Sequence, residues 1–328
     1  MNSGNSMKRR TLLLAAGASA AVLSHAPALA QDAYPSKPVR IVVPFAAGTS
    51  PDAVARILGA QMSKSWGQQV VVENRPGAAG MIGAEAAARS PADGYTLLLT
   101  VTSVMAINPH VYTTLRYNPL SDFTAVSQIL GVAYVLTVPP NAPYGTMKEL
   151  VAAAKANPGG LSYGSFGIGS QPHVVTESWS RRLGIKMNHV PYSGSPATDL
   201  MSGVLSLLMD PATTAVPLVQ AKKVKAIAVT SERRIEALPD VPTTGEFMPG
   251  LETSAWHGVF VPRATPPDVV ARISAELVRV VHLPEVQTRL KELGLTPVGS
   301  GTAEFTSKMR SDYAAWGRTI RELGIKLE

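Results

Sequence analysis

The sequence predicts an α/β protein of two lobes, each a mostly parallel sheet flanked by helices, with a ligand cleft between the lobes. Three observations carry this. Short apolar runs alternate with stretches of helical periodicity through most of residues 31–328, the pattern of strand–helix–strand units. Pro and Gly mark the joints, at Arg75-Pro76-Gly77, Pro91-Ala92-Asp93-Gly94, Asn157-Pro158-Gly159-Gly160 and Pro249-Gly250. Two runs break the alternation: 134–138 follows an irregular stretch at 102–122, and 255–261 leads straight into the C-terminal helices. A chain that crosses from one lobe to another and returns has this form. The lobes are then 31–132 with 255–328, and an inserted 133–254, with hinge strands near 130–138 and 254–262.

The first 30 residues read as an export signal. Lys8-Arg9-Arg10 is the basic region, Leu12 to Leu23 the short apolar region, and Ala28-Leu29-Ala30 the cleavage site, so the mature chain starts at Gln31. Arg9-Arg10 has a twin-arginine look, but the preferred reading is an ordinary basic region of secretory type. The first strand, 40–43, rests on the β-branched run Ile41-Val42-Val43, closed by Pro44. The helix at 52–65 starts at Ser50-Pro51-Asp52, a capping hydroxyl, Pro in the first turn and a carboxylate. Val54, Ile57, Leu58 and Met62 form its buried face. Further strands are expected at 69–73, 96–101, 125–130, 134–138, 161–164, 187–190, 205–209, 224–230 and 255–261. Further helices are expected at 82–90, 147–157, 173–183, 197–202, 213–222, 267–281, 284–293 and 302–323. Aromatic residues are only 6% of the chain, so the cores are expected to be aliphatic.

Composition narrows the function. The net charge of +7 falls to +4 when Lys8, Arg9 and Arg10 leave with the signal. That mild balance attracts anions without marking a nucleic-acid binder, and Lys222-Lys223-x-Lys225 reads as a solvated helix end. With no Cys in the chain, disulfides, thiolate catalysis and cysteine metal sites are excluded. His and carboxylates show no metal-ligand spacing, and no G-x-S-x-G elbow is present. No metal and no cofactor are therefore expected, and a periplasmic hydrolase is the disfavoured alternative.

The candidate binding residues cluster after strands. Between the first strand and its helix, the N–H groups of Ala46, Ala47, Gly48 and Thr49 face the place where a helix N-terminus holds an anion. Phe45 would wall that site, and Asp52 opens the helix. Thr102 and Ser103 end the third strand and offer hydroxyls. A second glycine-rich turn, Ser165-Phe166-Gly167-Ile168-Gly169-Ser170-Gln171-Pro172-His173, follows the strand at 161–164. Its spacing is neither the dinucleotide fingerprint nor a phosphate loop. Ser165, Gly169, Ser170 and Gln171 are its candidate contacts. His173 is a structural donor or a contact, the former being favoured. Tyr192 and Ser195 reach a cleft or cap a helix at Ser195-Pro196. Asp210 caps the next helix or faces the cleft, where it would repel a second ligand carboxylate.

These segments together resemble the periplasmic solute-binding proteins of tripartite tricarboxylate transporters, often called the Bug family. The resemblance rests on Tyr34-Pro35-Ser36-Lys37-Pro38-Val39-Arg40, Val43-Pro44-Phe45-Ala46-Ala47-Gly48, Glu73-Asn74-Arg75-Pro76-Gly77-Ala78-Ala79-Gly80 and Pro91-Ala92-Asp93-Gly94-Tyr95-Thr96-Leu97. It continues through Gly164-Ser165-Phe166-Gly167-Ile168-Gly169-Ser170, His189-Val190-Pro191-Tyr192, Ala237-Leu238-Pro239-Asp240-Val241-Pro242-Thr243 and Thr265-Pro266-Pro267. It implies a type II-like periplasmic-binding-protein fold whose two glycine-rich loops face each other and close on a small organic carboxylate or amino acid without chemistry. The implied partners are membrane permease subunits, with no nucleic acid, and the implied receptor is a monomer. A sensor of the same fold that signals to a membrane protein is the alternative. Thr49 departs from the family, which often carries a second Gly there; a positive φ at that position would strain Thr.

Overall fold

The run Val39–Val43 forms β1, buried at four of its five positions as its branching and length dictate. The computed structural model describes residues 34–192, 194–251 and 253–327; the expected signal at 1–30 lies outside them. After β1 come β2 (Val70–Asn74), β3 (Thr96–Val101), β4 (Phe123–Val132), β5 (Tyr134–Val138), β6 (Ser162–Ser165), β7 (Asn188–Pro191), β8 (Leu207–Pro211), β9 (Lys225–Val229), β10 (Ala255–Pro262) and β11 (Leu295–Pro297). They make a six-stranded sheet in the order β11-β4-β10-β3-β1-β2 and a five-stranded sheet in the order β7-β6-β8-β5-β9.

Both sheets are mostly parallel by strand direction. In the first, β10 and β11 oppose the other four; in the second, β5 alone opposes the rest. The opposed strands β5 and β10 are the ones that arrive from the other sheet. Both sheets belong to one compact unit, Lys37–Glu328.

The outgoing crossing between β4 and β5 is the single residue Ala133. It is tied to the return crossing through Thr230. The Thr230 hydroxyl accepts the Tyr134 N–H at 3.0 Å. Thr230 N–H donates to the Tyr134 carbonyl at 2.9 Å, and Thr253 N–H donates to the Thr230 carbonyl at 2.8 Å.

Three features differ from the sequence expectation. Residues 102–122 are not wholly irregular: a π-helical turn, Ser103–Ile107, runs into a short helix, Asn108–Val111. Neither β11 nor the short helix Thr244–Phe247 is expected from the sequence. That helix is fixed by a reciprocal cap, in which the Thr243 hydroxyl accepts the Glu246 N–H and the Glu246 carboxylate accepts the Thr243 N–H.

The third difference is in packing. The first sheet's core is not purely aliphatic: Tyr117, Phe123, Trp256, Phe260 and Phe305 share one cluster. Trp256 and Phe305 meet edge to face at 5.0 Å between ring centroids. Aromatic residues are few, yet five of them gather in this one core. Gly258 makes this possible, since a Cβ there would stand 2.2 Å from Phe305 Cζ.

Candidate ligand cleft

The loop after β1 is held from behind by Asp52, which is 3% exposed. Its Oδ2 accepts the Gly48 N–H at 2.9 Å and Arg56 Nε at 3.1 Å. Its Oδ1 accepts Asn74 Nδ2 at 2.9 Å, and that same amide reaches the Phe45 carbonyl at 3.1 Å. Burial pushes the Asp52 pKa up, but the hydrogen bonds from Arg56, Gly48 and Asn74 outweigh it and hold the carboxyl below its usual range. Asp52 thus fixes the loop rather than facing a ligand. Removing its carboxylate leaves three donors without their acceptor. Asp52→Ala is expected to lose about 2–3 kcal/mol of stability in urea denaturation, with Asp52→Asn recovering part of it. A loss under about 0.5 kcal/mol would remove Asp52 from this role.

This anchoring changes the count of donors expected from the sequence. The Gly48 N–H is committed to Asp52. The Thr49 N–H and hydroxyl both point to the Ala46 carbonyl, at 3.4 and 2.7 Å. The N–H groups of Ala46 and Ala47 have no acceptor among the described residues, and both residues are exposed. Ser50 adds a donor that the sequence reading assigned to capping: its buried hydroxyl has no partner, and the helix cap is Thr49. Thr49 itself is unstrained, at φ −76°, because the positive φ of +82° falls on Gly48.

The sequence reading did not single out the unusual turn beside the first loop. Gly77, Ala78, Ala79 and Gly80 all have positive φ, of 128°, 46°, 52° and 88°. For the two alanines this is a strained conformation, of the kind that collects at functional sites. Asn108 Nδ2 holds the turn by donating to the Ala79 carbonyl at 3.0 Å. The turn abuts the first loop, since a Cβ on Gly80 would lie 3.4 Å from Phe45 Cζ. Nothing in Ala-Ala between two glycines signals it. Thr102 is fully buried; its hydroxyl accepts the Trp256 N–H at 2.8 Å and donates to the Trp256 carbonyl at 3.5 Å, so it ties the end of β3 to β10 and offers no free donor. Ser103 stays partly exposed at the start of the π-helical turn.

The second loop, between β6 and helix Gln171–Leu183, leans on a stack of rings. His173 and His189 lie 4.1 Å apart and His189 and Tyr163 4.9 Å apart, near parallel. His173 Nδ1 accepts the Gly169 N–H at 3.1 Å, so it is unprotonated and supports the loop from beneath. Burial lowers the His173 pKa; burial and then the neighbouring His173 hold His189 at about 4. Ser165 shares a 2.6 Å hydrogen bond with His189 Nε2, and the Ser170 hydroxyl donates to the Gly167 carbonyl at 2.7 Å. Gln171 Nε2 donates to Thr253 and to the Ser254 carbonyl, both at 3.3 Å, while its Oε1 is buried without a partner. These side chains therefore shape the loop. Gly169 has φ +81°, and a Cβ there would stand 2.9 Å from Val111 Cγ1, so the second loop touches the helix that follows β3.

Three further candidates also bond within the protein. Tyr192 donates to Asp199 at 2.5 Å. Ser195 Oγ accepts the Ala197 N–H at 3.4 Å, one residue outside the cap position, which Pro196 occupies. Asp210 is 2% exposed and accepts the Thr214 hydroxyl at 2.6 Å; burial pushes its pKa up to about 6 against that hydrogen bond. The cap position of the following helix is Pro211, with no side-chain cap hydrogen bond, so Asp210 does not cap it as the sequence suggested.

Two cations near the first loop are paired with carboxylates. Arg56 pairs with Asp52, and Arg75 pairs with Glu73. Among the described residues no cluster of His, Asp and Glu is placed to hold a metal, and no helix is long and apolar enough to cross a membrane. What the first loop presents is neutral: the unpaired N–H groups of Ala46 and Ala47 on glycine and alanine surfaces, while the Ser50 hydroxyl is buried. Such a site suits a small anion held by main-chain dipoles.

Comparison with known proteins gives the family. Residues 54–325 match the family described as tripartite tricarboxylate transporter family receptor. A UPF0065 protein in the tcbD-tcbE intergenic region of Pseudomonas sp. strain P51 is 38% identical over 95% of this chain and 94% of its own. Among solved structures, one described as a periplasmic transporter has a TM-score of 0.84 at 38% identity, covering 90% of this chain and 100% of that one. An R. palustris protein solved with adipate has a TM-score of 0.84 at 33% identity, with coverage of 90% and 100%. MatC from Rhodopseudomonas palustris, with bound malate, has a TM-score of 0.79 at 30% identity, with coverage of 88% and 100%. The family match over residues 54–325 and the relatives of the same two-sheet fold show it plainly: the chain belongs to the tripartite tricarboxylate transporter receptor family.

Proposed function

We propose that this protein is an exported, periplasmic receptor that captures a small organic carboxylate between two lobes and delivers it to a tripartite tricarboxylate-type membrane permease. Each lobe is one of the two sheets with its helices, and the crossings at Ala133 and Thr230–Ser254 are the hinge. The observation that carries the reading is the first loop. It offers the free N–H groups of Ala46 and Ala47 on a turn fixed by Asp52, whose neighbouring cation, Arg56, is paired with it. Those donors recognise an anion without demanding a metal or cofactor. The adipate and malate held by structural neighbours are ligands of that chemistry.

A melting screen of refolded protein tests this. Refolding removes any co-purified ligand. A mono-, di- or tricarboxylate, adipate and malate among them, is expected to raise Tm. At 100 times Kd the stabilisation is about 2.7 kcal/mol. Tight binding of a sugar or a cation, with no response to any carboxylate, would overturn the reading.

A further inference from the structure

A second concavity lies across the crossings from the loops. It is a groove of about 500 Å³ lined by Ala133 and Ser254 at the crossings, Ser231 and Ala237 from the segment after β9, and Gly294 and Thr296 around β11. Sheet order fixes its place. In the first sheet β4 and β10 carry the crossings, with β3, β1 and β2 on one side and β11 on the other. In the second sheet β5 carries the crossing, with β8, β6 and β7 on one side and β9 on the other. The candidate loops after β1, β3, β6 and β7 follow strands of the first side, where Gly169 meets Val111; β8 ends beside the crossing, the Ala212 N–H donating to the Ala133 carbonyl. The groove walls come from β11 and the segment after β9, both on the second. Cleft and groove therefore flank the same pair of crossings.

The two halves already touch at this rear face. A Cβ on Gly294 would stand 2.9 Å from Ala212 Cβ and 3.4 Å from Val216 Cγ2, across the gap between the sheets' layers. Gly294 also has φ +69°. Beside it, Lys291 Nζ meets Glu236 at 3.1 Å, an exposed pair that ties the halves weakly.

We propose that this rear groove sets ligand affinity without touching the ligand, with Gly294 and Thr296 as the residues that act through it. The inference rests on the two-lobe receptor reading above. Bodies that pivot about the crossings narrow the cleft as they widen the groove. Bulk placed in the groove disfavours its narrow state and so enriches the closed cleft. Because apparent affinity scales with the fraction of binding-competent protein, that enrichment tightens binding with no new ligand contact. Variants that fill a groove normally weaken or leave a distant site unchanged; here the sign is a gain.

The chain has no cysteine, so Ala60→Cys and Thr198→Cys place two spin labels cleanly, on exposed positions of the two halves. Pulsed EPR then reads the distance between them. Gly294→Asn keeps a residue type that tolerates positive φ while adding the Cβ for which no space exists. Thr296→Trp adds a ring on an exposed edge strand that accepts aromatics. Without ligand, each is expected to enlarge the short-distance population about 3-fold, and adipate binding by calorimetry should tighten by a similar factor. Val204→Trp, exposed and lining neither groove nor loops, should change nothing. Distances unchanged or lengthened in both folded variants overturn the proposal, as does weaker adipate binding with shortened distances. A failure of the receptor reading itself looks different: no carboxylate raises the wild-type Tm or shortens the wild-type distance.

Discussion

Replacing Ala47 by aspartate should weaken carboxylate binding at least ~100-fold, a loss of about 2.7 kcal/mol, while leaving the fold intact. Ala47 is exposed, is not among the residues of positive φ, and carries one of the two loop N–H groups without an acceptor. Aspartate there keeps the backbone donor and sets a negative charge beside the bound anion. Two unit charges about 4 Å apart repel by about 4 kcal/mol at an effective dielectric of 20. Exposed loop substitutions usually move stability by no more than about 0.5 kcal/mol, so urea denaturation should scarcely change. Gly48 is the poorer site for the same test, because its φ of +82° would add strain and its N–H already serves Asp52. Ala47→Asn separates charge from size and should bind within about 5-fold of the parent. Ala60→Asp, exposed on helix Ser50–Trp66 and away from its N-terminus, should bind normally. If folded Ala47→Asp binds the carboxylate found in the melting screen as tightly as the parent, the first loop is not the anion site.

Much of the fold is legible in the residues because its elements depend on local signals. The branched run at β1, the Ser50-Pro51-Asp52 helix start and the joints at Pro and Gly each fix their own geometry. What escapes the sequence is non-local. β11 is three residues long and exists because β4 offers an edge. The π-helical turn at Ser103–Ile107 follows from burial of Val104, Met105, Ala106 and Ile107 against the core and the C-terminal helix, which no period in the sequence announces.

The candidate site shows the same division. Residue type and position after a strand place Ala46, Ala47 and the glycine loop correctly on their turns. They do not say where each polar atom points. Gly48, Thr49, Thr102, Ser165, Ser170, Tyr192 and Asp210 were all plausible donors or acceptors for a ligand, and each has a partner inside the protein. Those partners, Asp52 for Gly48 and His189 for Ser165, sit 4 and 24 residues away along the chain. Chain position cannot assign a hydrogen bond that folding brings together. The converse holds for Ser50, whose hydroxyl reads as a cap and is left without one.

Acid should unfold this protein earlier than its carboxylates alone require. Burial lowers the pKa of His257 to about 3, and burial with the neighbouring His173 lowers that of His189 to about 4. Both are neutral in the fold at pH 6, while the unfolded chain takes up a proton at each near 6.5. Between those values the unfolded state binds more protons, so stability falls as pH falls, by about 1.4 kcal/mol per pH unit for each group. Asp210 works in the opposite sense. Burial raises it from 3.8 to about 6, so between those values the folded state holds the extra proton and gains stability as pH falls. Two histidines against one aspartate leave a net loss of roughly 2 kcal/mol from pH 6 to 4.5, before the lowered His110 and His173 add to it. Urea denaturation across that range should show the decline. Asp210→Asn separates the opposing contributions. Asparagine keeps an acceptor for the Thr214 hydroxyl and removes the buried charge, so stability at pH 8 should rise by roughly 2–3 kcal/mol. With its counterweight gone, the acid limb should then steepen. A flat profile from pH 6 to 4.5 in the parent, or no gain at pH 8 in the variant, would show that these buried groups reach water in the folded state.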